Sequence, residues 1–328
     1  MMNPTAFIID SFKLSWAAIL IMIALLVWFC FSAAFYNGKN RRIGTLILIL
    51  PLAVLFSAFI GRSVYWYSHQ SGFHGYLDAL KSTDLTAFSL LGILPGIVLA
   101  CGIVRLLRLD KNLPGLLDCL SPGTASAVAI LYLTCLYQPI CRGKSIVTAP
   151  ALLHLPVSFM NYNTQGEAEY RFASFFLGFL LMLVLSFVTA SFYFRHRKEK
   201  GSTACFFLLF YSAAEFVIES TRYDAGYFPT NGFVSIIQIW SAVCIFGVAV
   251  YYTVMRVRKK KWTKACFLPW LGLLLSMGAT GFLEYYVQRH GNFAYFLHPL
   301  MFLSCFCMAL FPLLLGIKKA PAERADTP

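Results

Sequence analysis

The chain has 328 residues, 59% of them hydrophobic and only 12% charged, with a formal net charge of +13 at pH 7. Its apolar residues fall in blocks of about twenty, the helix length that crosses a hydrocarbon core about 30 Å thick, which excludes a water-soluble globule. The basic excess sits in short runs between those blocks, so it is a topology signal and argues against nucleic acid as a partner.

In chain order the blocks predict nine membrane-spanning helices, near 14–36, 44–66, 86–107, 121–140, 172–194, 203–221, 232–255, 265–287 and 294–316. They must be helices, because lipid cannot satisfy the open backbone groups of a sheet edge. The first block lacks a basic leader and runs into Asn37-Gly38-Lys39-Asn40-Arg41-Arg42, so it is read as a retained span and not as a cleaved signal peptide. With the N-terminus outside, 19 of the 27 basic residues lie in inner segments and nine of the 14 acids in or beside outer ones. The expected orientation is therefore N-out and C-in.

The second span ends at Arg62 beside Tyr65, Trp66 and Tyr67, an interfacial aromatic belt with an arginine at the depth of a lipid phosphate. The outer loop that follows carries His69, His74 and Tyr76. In the third span Gly92 and Gly96, four residues apart, let two helix backbones approach closely. Asp118 followed by Pro122 predicts a helix start. The long outer loop of 141–171 holds Arg142 and Lys144, then an apolar stretch from Ala149 to Phe159 that is too short to span and is read as re-entrant or interfacial.

The sixth span is unusual for its charge. Tyr211, Glu215, Glu219 and Arg222 recur at intervals of four, four and three, so they share one helix face. A charge at the bilayer centre costs roughly 2.5 to 3.5 kcal/mol on insertion scales, so such groups must face a wet cavity or one another. Arg222 lies one turn from Glu219 and can pair with it, either as a structural ion pair or as a grip for phosphate. Glu215 has no partner on its own helix; desolvation, or a basic group from another span, would have to neutralise it. A polar turn then leads to Ser235, Gln238 and Ser241. Further on, Glu284 reads as a snorkelling end residue and His298, before Pro299, as a satisfied histidine at a helix kink. The ten cysteines sit mostly in apolar spans, no spacing suits a metal site, and no metal or cofactor is expected. The tail from Lys318 reads as a short disordered cytoplasmic end.

These residues together are similar to a known family, the bacterial prolipoprotein diacylglyceryl transferases. The resemblance rests on Tyr211, Glu215, Phe216, Glu219, Arg222 and Asp224, followed by Ser235, Gln238 and Ser241. Earlier in the chain it rests on Gly61-Arg62 with Tyr65, on Gly92 and Gly96, on Leu117 to Gly123, and on Cys135, Cys141, Gly143 and Lys144. It covers roughly 14–255, which implies a seven-helix core over 1–255, two additional helices over 256–317 and the tail over 318–328. The implied fold is an all-α polytopic membrane bundle. Several family positions differ: Leu91 stands where the family has histidine, Ile93 where it has glycine, Tyr132 and Glu215 where it has arginine, and Ala17-Ala18 where it has a Tyr-Gly pair.

The resemblance implies transfer of a diacylglyceryl group from phosphatidylglycerol to the cysteine thiol of a lipoprotein precursor, in the bacterial cytoplasmic membrane. The expected catalytic residues are Glu219, Arg222 and Tyr211. Those expected to bind lipid are Arg62, Gly92, Gly96, Glu215, Gln238, Ser241, Arg142, Lys144 and His74, with His74 or Arg142 folding over the Glu219–Arg222 pair in place of the substituted groups. Two other readings stay open: a homologue that holds lipid or lipopeptide without turnover, and a small-molecule transporter.

Overall fold

A computed structural model describes residues 5–9, 12–37, 43–68, 74–81, 90–137, 143–146, 158–162, 167–196, 200–227, 232–259, 263–289 and 294–316. The helices are α1 Trp16–Asn37, α2 Ile43–Ser68, the short α3 Tyr76–Lys81, α4 Ile93–Leu106, α5 Leu113–Thr134, α6 Ser174–His196, α7 Ser202–Thr221, α8 Ile236–Arg258, α9 Phe267–Arg289 and α10 Ala294–Gly316. Two antiparallel hairpins, Thr5–Ile9 with Phe12–Ser15 and Ser158–Tyr162 with Ala168–Phe172, complete the described elements. The expected all-α membrane bundle is the observed one: among the described residues, eight helices are long and apolar enough to cross a membrane.

The third predicted span needs correction. Its α-helix, α4, has 14 residues, about 21 Å at 1.5 Å per residue, and is too short to cross alone. A 3₁₀ turn at Leu90–Gly92 leads into it, and the predicted first residues of this span lie outside the described ones. Two predicted loop features change as well. Ser158 and Phe159, read as the end of a re-entrant stretch, open a strand of the second hairpin, while 149–157 lie outside the described residues. The first hairpin, just before α1, gave no signal that periodicity over long apolar blocks could detect.

The fourth span starts earlier than predicted. Asn112 caps α5, its side chain accepting from the Gly115 N–H at 3.3 Å, with Pro114 in the first turn, where a missing N–H costs nothing. Asp118 is therefore not a helix start but a buried mid-helix residue, 2% exposed. Its carboxylate accepts from the N–H groups of Gly201 at 2.6 Å and Ala204 at 2.9 Å, capping α7 from 83 residues away in sequence. Gly201 itself sits at φ +86°, a left-handed conformation that suits glycine. We predict that Asp118→Ala destabilises the protein by about 2 kcal/mol, because two buried amides lose a charged acceptor. The thermal unfolding midpoint in detergent should fall for Asp118→Ala and fall less for Asp118→Asn.

α5 and α7 are the most enclosed helices. α5 packs against α1, α6 and α7, and α7 against α6, α8 and α10. The α2–α4 pair is drawn together at Gly92 and Gly96: a Cβ on either would collide with the backbone of α2 at Gly61 or Ser57. This pair leans on α1 and α5, and the space between it and the α7–α8 pair is where the polar groups gather.

Candidate functional site

A cavity of about 530 Å³ lies between α2 and α4 on one side and α7 and α8 on the other, with α1 and α5 forming the remaining wall. Most of its surface is apolar, contributed by residues such as Leu25, Leu50, Ile97 and Val128, which suits acyl chains. The polar lining includes Arg62, Tyr132, Tyr211, Glu215, Glu219, Arg222, Asp224 and Ser241. The stripe read from the sequence thus faces one cavity: Tyr211 is 6% exposed, Glu215 5% and Glu219 1%. The helix ends that carry Arg62, Arg222 and Asp224 put the charged part of the lining at one end of the bundle.

Arg222 caps the C-terminus of α7 and is held by two carboxylates. Its Nη1 lies 3.0 Å from Glu219 Oε2, while Nε and Nη2 reach the two oxygens of Asp224 at 3.1 and 2.9 Å. The planar guanidinium fixes both acids in one orientation, which an ammonium group would not do. Its backbone is also fixed: Arg222 pairs with Gly143 in an antiparallel bridge, and the Lys144 N–H donates to Thr221 O at 2.9 Å. A Cβ at Gly143 would strike Phe172, so glycine there lets the segment lie flat against the second hairpin.

Glu215 finds its partner on another span, though not a basic one. The Tyr132 hydroxyl donates to its Oε1 at 2.7 Å, with the Tyr211 side chain beside it. The ring of Tyr132 fits because α6 presents Gly178 there; a side chain at 178 would overlap it. A buried carboxyl group is thus satisfied by a neutral phenol, and the basic group that was one of two expected alternatives is not what it meets. The two residues stand 83 positions apart, so no local spacing could have revealed the pair.

The other candidate residues divide by position. Arg62 lines the cavity, and its Nη1 donates to Ala79 O at 3.2 Å. Ser241 is in the wall and 3% exposed. Gly92 and Gly96 are not in the lining; they serve the α2–α4 contact. Gln238 is taken up by helix capping: its Oε1 accepts from the Ser235 N–H at 2.8 Å while Ser235 Oγ accepts from the Gln238 N–H. His74 is exposed and outside the lining, with its backbone N–H donating to Asp78 at 3.4 Å, so it does not fold over the Glu219–Arg222 pair. Arg142 lies outside the described residues.

Lys144 and Glu284 join a network that the sequence did not suggest. Lys144 Nζ donates to Gln288 Oε1 at 2.9 Å, and Gln288 Nε2 donates to Glu284 Oε1 at 2.6 Å and to the Tyr227 hydroxyl at 2.8 Å. Glu284 is 0% exposed, so it does not snorkel; the end of α9 is covered by the loop after α7 and by the 143–146 segment. Burial pulls the Lys144 amine below the usual lysine range, against the opposing effect of Glu284 and Glu219. Burial pushes the Tyr227 phenol up, and Glu284 and Glu219 add to that shift. His298 is buried on α10 with Phe172 packed on its ring.

The family model for prolipoprotein diacylglyceryl transferase matches residues 4–255, more than three quarters of the chain. The chain belongs to that family. It is similar to the phosphatidylglycerol–prolipoprotein diacylglyceryl transferase of Lactobacillus acidophilus, with 24% identity over 79% of this chain and 92% of the relative. The enzymes of that name from Streptococcus agalactiae and Clostridium kluyveri are 22% and 25% identical, over 79% and 75% of this chain and 98% and 96% of theirs. A multi-pass membrane protein of this family accounts for the apolar spans. α9 and α10 lie beyond the matched residues.

Proposed function

We propose that this protein transfers a diacylglyceryl group from phosphatidylglycerol to the cysteine thiol of a lipoprotein precursor, in the bacterial cytoplasmic membrane with the charged end of the cavity facing outward. The observation that carries the proposal is the pairing, in one cavity, of a mostly apolar wall with a carboxylate and guanidinium cluster at its end. In the reaction the cysteine sulfur bonds to the terminal glyceryl carbon, the bond from that carbon to the phosphate oxygen breaks, and glycerol phosphate leaves with the electron pair. The thiol proton needs an acceptor and the departing phosphate needs positive charge.

Glu215 suits the first task, since it is a carboxylate inside the cavity whose orientation Tyr132 fixes. Arg222 and Arg62 suit the second, with Glu219 and Asp224 holding the Arg222 guanidinium in place. Tyr211, in the same wall, lies beside Glu215 and helps to shape its surroundings. This division of labour makes use of the positions at which the chain departs from the family pattern: Tyr132 and Glu215 form one hydrogen-bonded unit in place of two arginines.

The test is direct. Purified protein incubated with phosphatidylglycerol and a signal peptide bearing the lipoprotein cysteine is expected to yield a diacylglyceryl thioether, detected as a mass shift on the peptide. Phosphatidylglycerol retained without product, under conditions where an active relative turns over, would instead favour a homologue that only holds lipid.

A further inference from the structure

We propose that α9, a helix beyond the family-matched residues, supports the lipid-binding site from outside the cavity lining: Gln288, oriented by Glu284, positions Lys144 beside the segment that fixes Arg222. The inference rests on the reading of the cavity as a site for an anionic phospholipid.

A carboxylate that is 0% exposed and a partly buried lysine are expensive in a membrane bundle, and apolar residues of similar size would pack there more cheaply. The groups are also specific. One amide, Gln288, serves three partners from three parts of the chain: Lys144 before the second hairpin, Tyr227 after α7, and Glu284 one turn earlier on α9. Two of these partners lie in the segments that fix Arg222. Lys144 follows Gly143, which bridges to Arg222, and donates its own backbone N–H to Thr221. Tyr227 ends the turn that carries Asp224, and its backbone bridges to Ser235 at the start of α8. α9 therefore ties together the two segments that fix Arg222 and holds the Lys144 amine through Gln288.

The electrostatic consequence concerns the phosphate. The cavity lining carries Glu215, Glu219 and Asp224 against Arg62 and Arg222, and two carboxylates already engage Arg222. Lys144 interacts electrostatically with Glu219, so its charge offsets an acid that would otherwise repel an anionic headgroup. A fixed charge acts more strongly there than in water, because the effective dielectric of the protein is lower.

The test uses the full chain in nanodiscs or detergent, with Gln288→Leu, Lys144→Met, the double variant and Lys144→Arg. Dissociation constants for phosphatidylglycerol are measured alongside KM and kcat for transfer. Each of the first two variants is expected to raise the dissociation constant and KM about tenfold with kcat little changed; the double variant should be no worse than the weaker-binding single, since both remove one coupled unit. Lys144→Arg should bind lipid close to wild type. A purely structural role would reduce the folded fraction, lowering the maximal rate and the unfolding midpoint while leaving KM and the dissociation constant unchanged, and that pattern overturns the inference. A wild-type protein that binds phosphatidylglycerol without transferring it would remove the transferase reading alone, and the dissociation constants would still decide the role of α9. A wild-type protein that does not bind the lipid overturns both.

Discussion

Glu215→Gln is expected to lower the rate of diacylglyceryl transfer by about a hundredfold or more while leaving the fold and lipid binding in place. The amide oxygen can still accept from Tyr132, so the hydrogen bond at 2.7 Å and the packing around it survive. A primary amide cannot take a proton from a thiol, and loss of a positioned proton acceptor typically removes a factor of about 10² to 10⁴. A second signature separates this role from a structural one. An unperturbed cysteine thiol has a pKa of about 8.5, so raising the pH supplies thiolate from solution. The variant's rate should therefore climb with pH toward the wild-type rate, measured as product formed from the same cysteine peptide between neutral and alkaline pH. A variant with wild-type activity at neutral pH would remove Glu215 from the chemistry.

Arg222→Ala should be the most damaging single change to both stability and activity. It strands Glu219, 1% exposed, without its guanidinium and releases Asp224. Breaking a buried ion pair by removing one partner typically costs about 3–5 kcal/mol, because the remaining charge stays buried. Transfer should drop by at least about two orders of magnitude through the lost stabilisation of the departing phosphate. Arg222→Lys makes the informative comparison. It keeps the charge but cannot span Glu219 and Asp224 with one planar fork, so stability should recover more than activity. Unfolding midpoints and transfer rates of the two variants, measured on the same preparations, check this. If Arg222→Ala unfolds and transfers like wild type, the carboxylate–guanidinium cluster is neither the structural nor the chemical centre of the cavity.

The sequence was legible where a single helix carries the information. The stripe of Tyr211, Glu215, Glu219 and Arg222 needs only a period of 3.6 to place it on one face, and it does face one cavity. The Glu219–Arg222 pair is local for the same reason. Gly92 and Gly96 announced close helix packing, and the structure uses them for that contact. Reading failed where a partner came from elsewhere in the chain. Asp118 looked like a local helix start and instead caps α7; Glu284 looked like a side chain reaching for water and is buried, bonded to Gln288 of its own helix.

By itself, then, the sequence determined the membrane environment, the helical class, most span positions and the residues that share the polar face of α7. Hydropathy and helical period are properties of contiguous chain, so no knowledge of the neighbouring helices is needed to obtain them. Only the tertiary structure decided that Tyr132 satisfies Glu215 and that Gln288 of α9 holds Lys144. Both contacts join residues from different helices or loops. In a bilayer a buried polar group must find a partner wherever packing brings one near, and that nearness does not depend on separation along the chain.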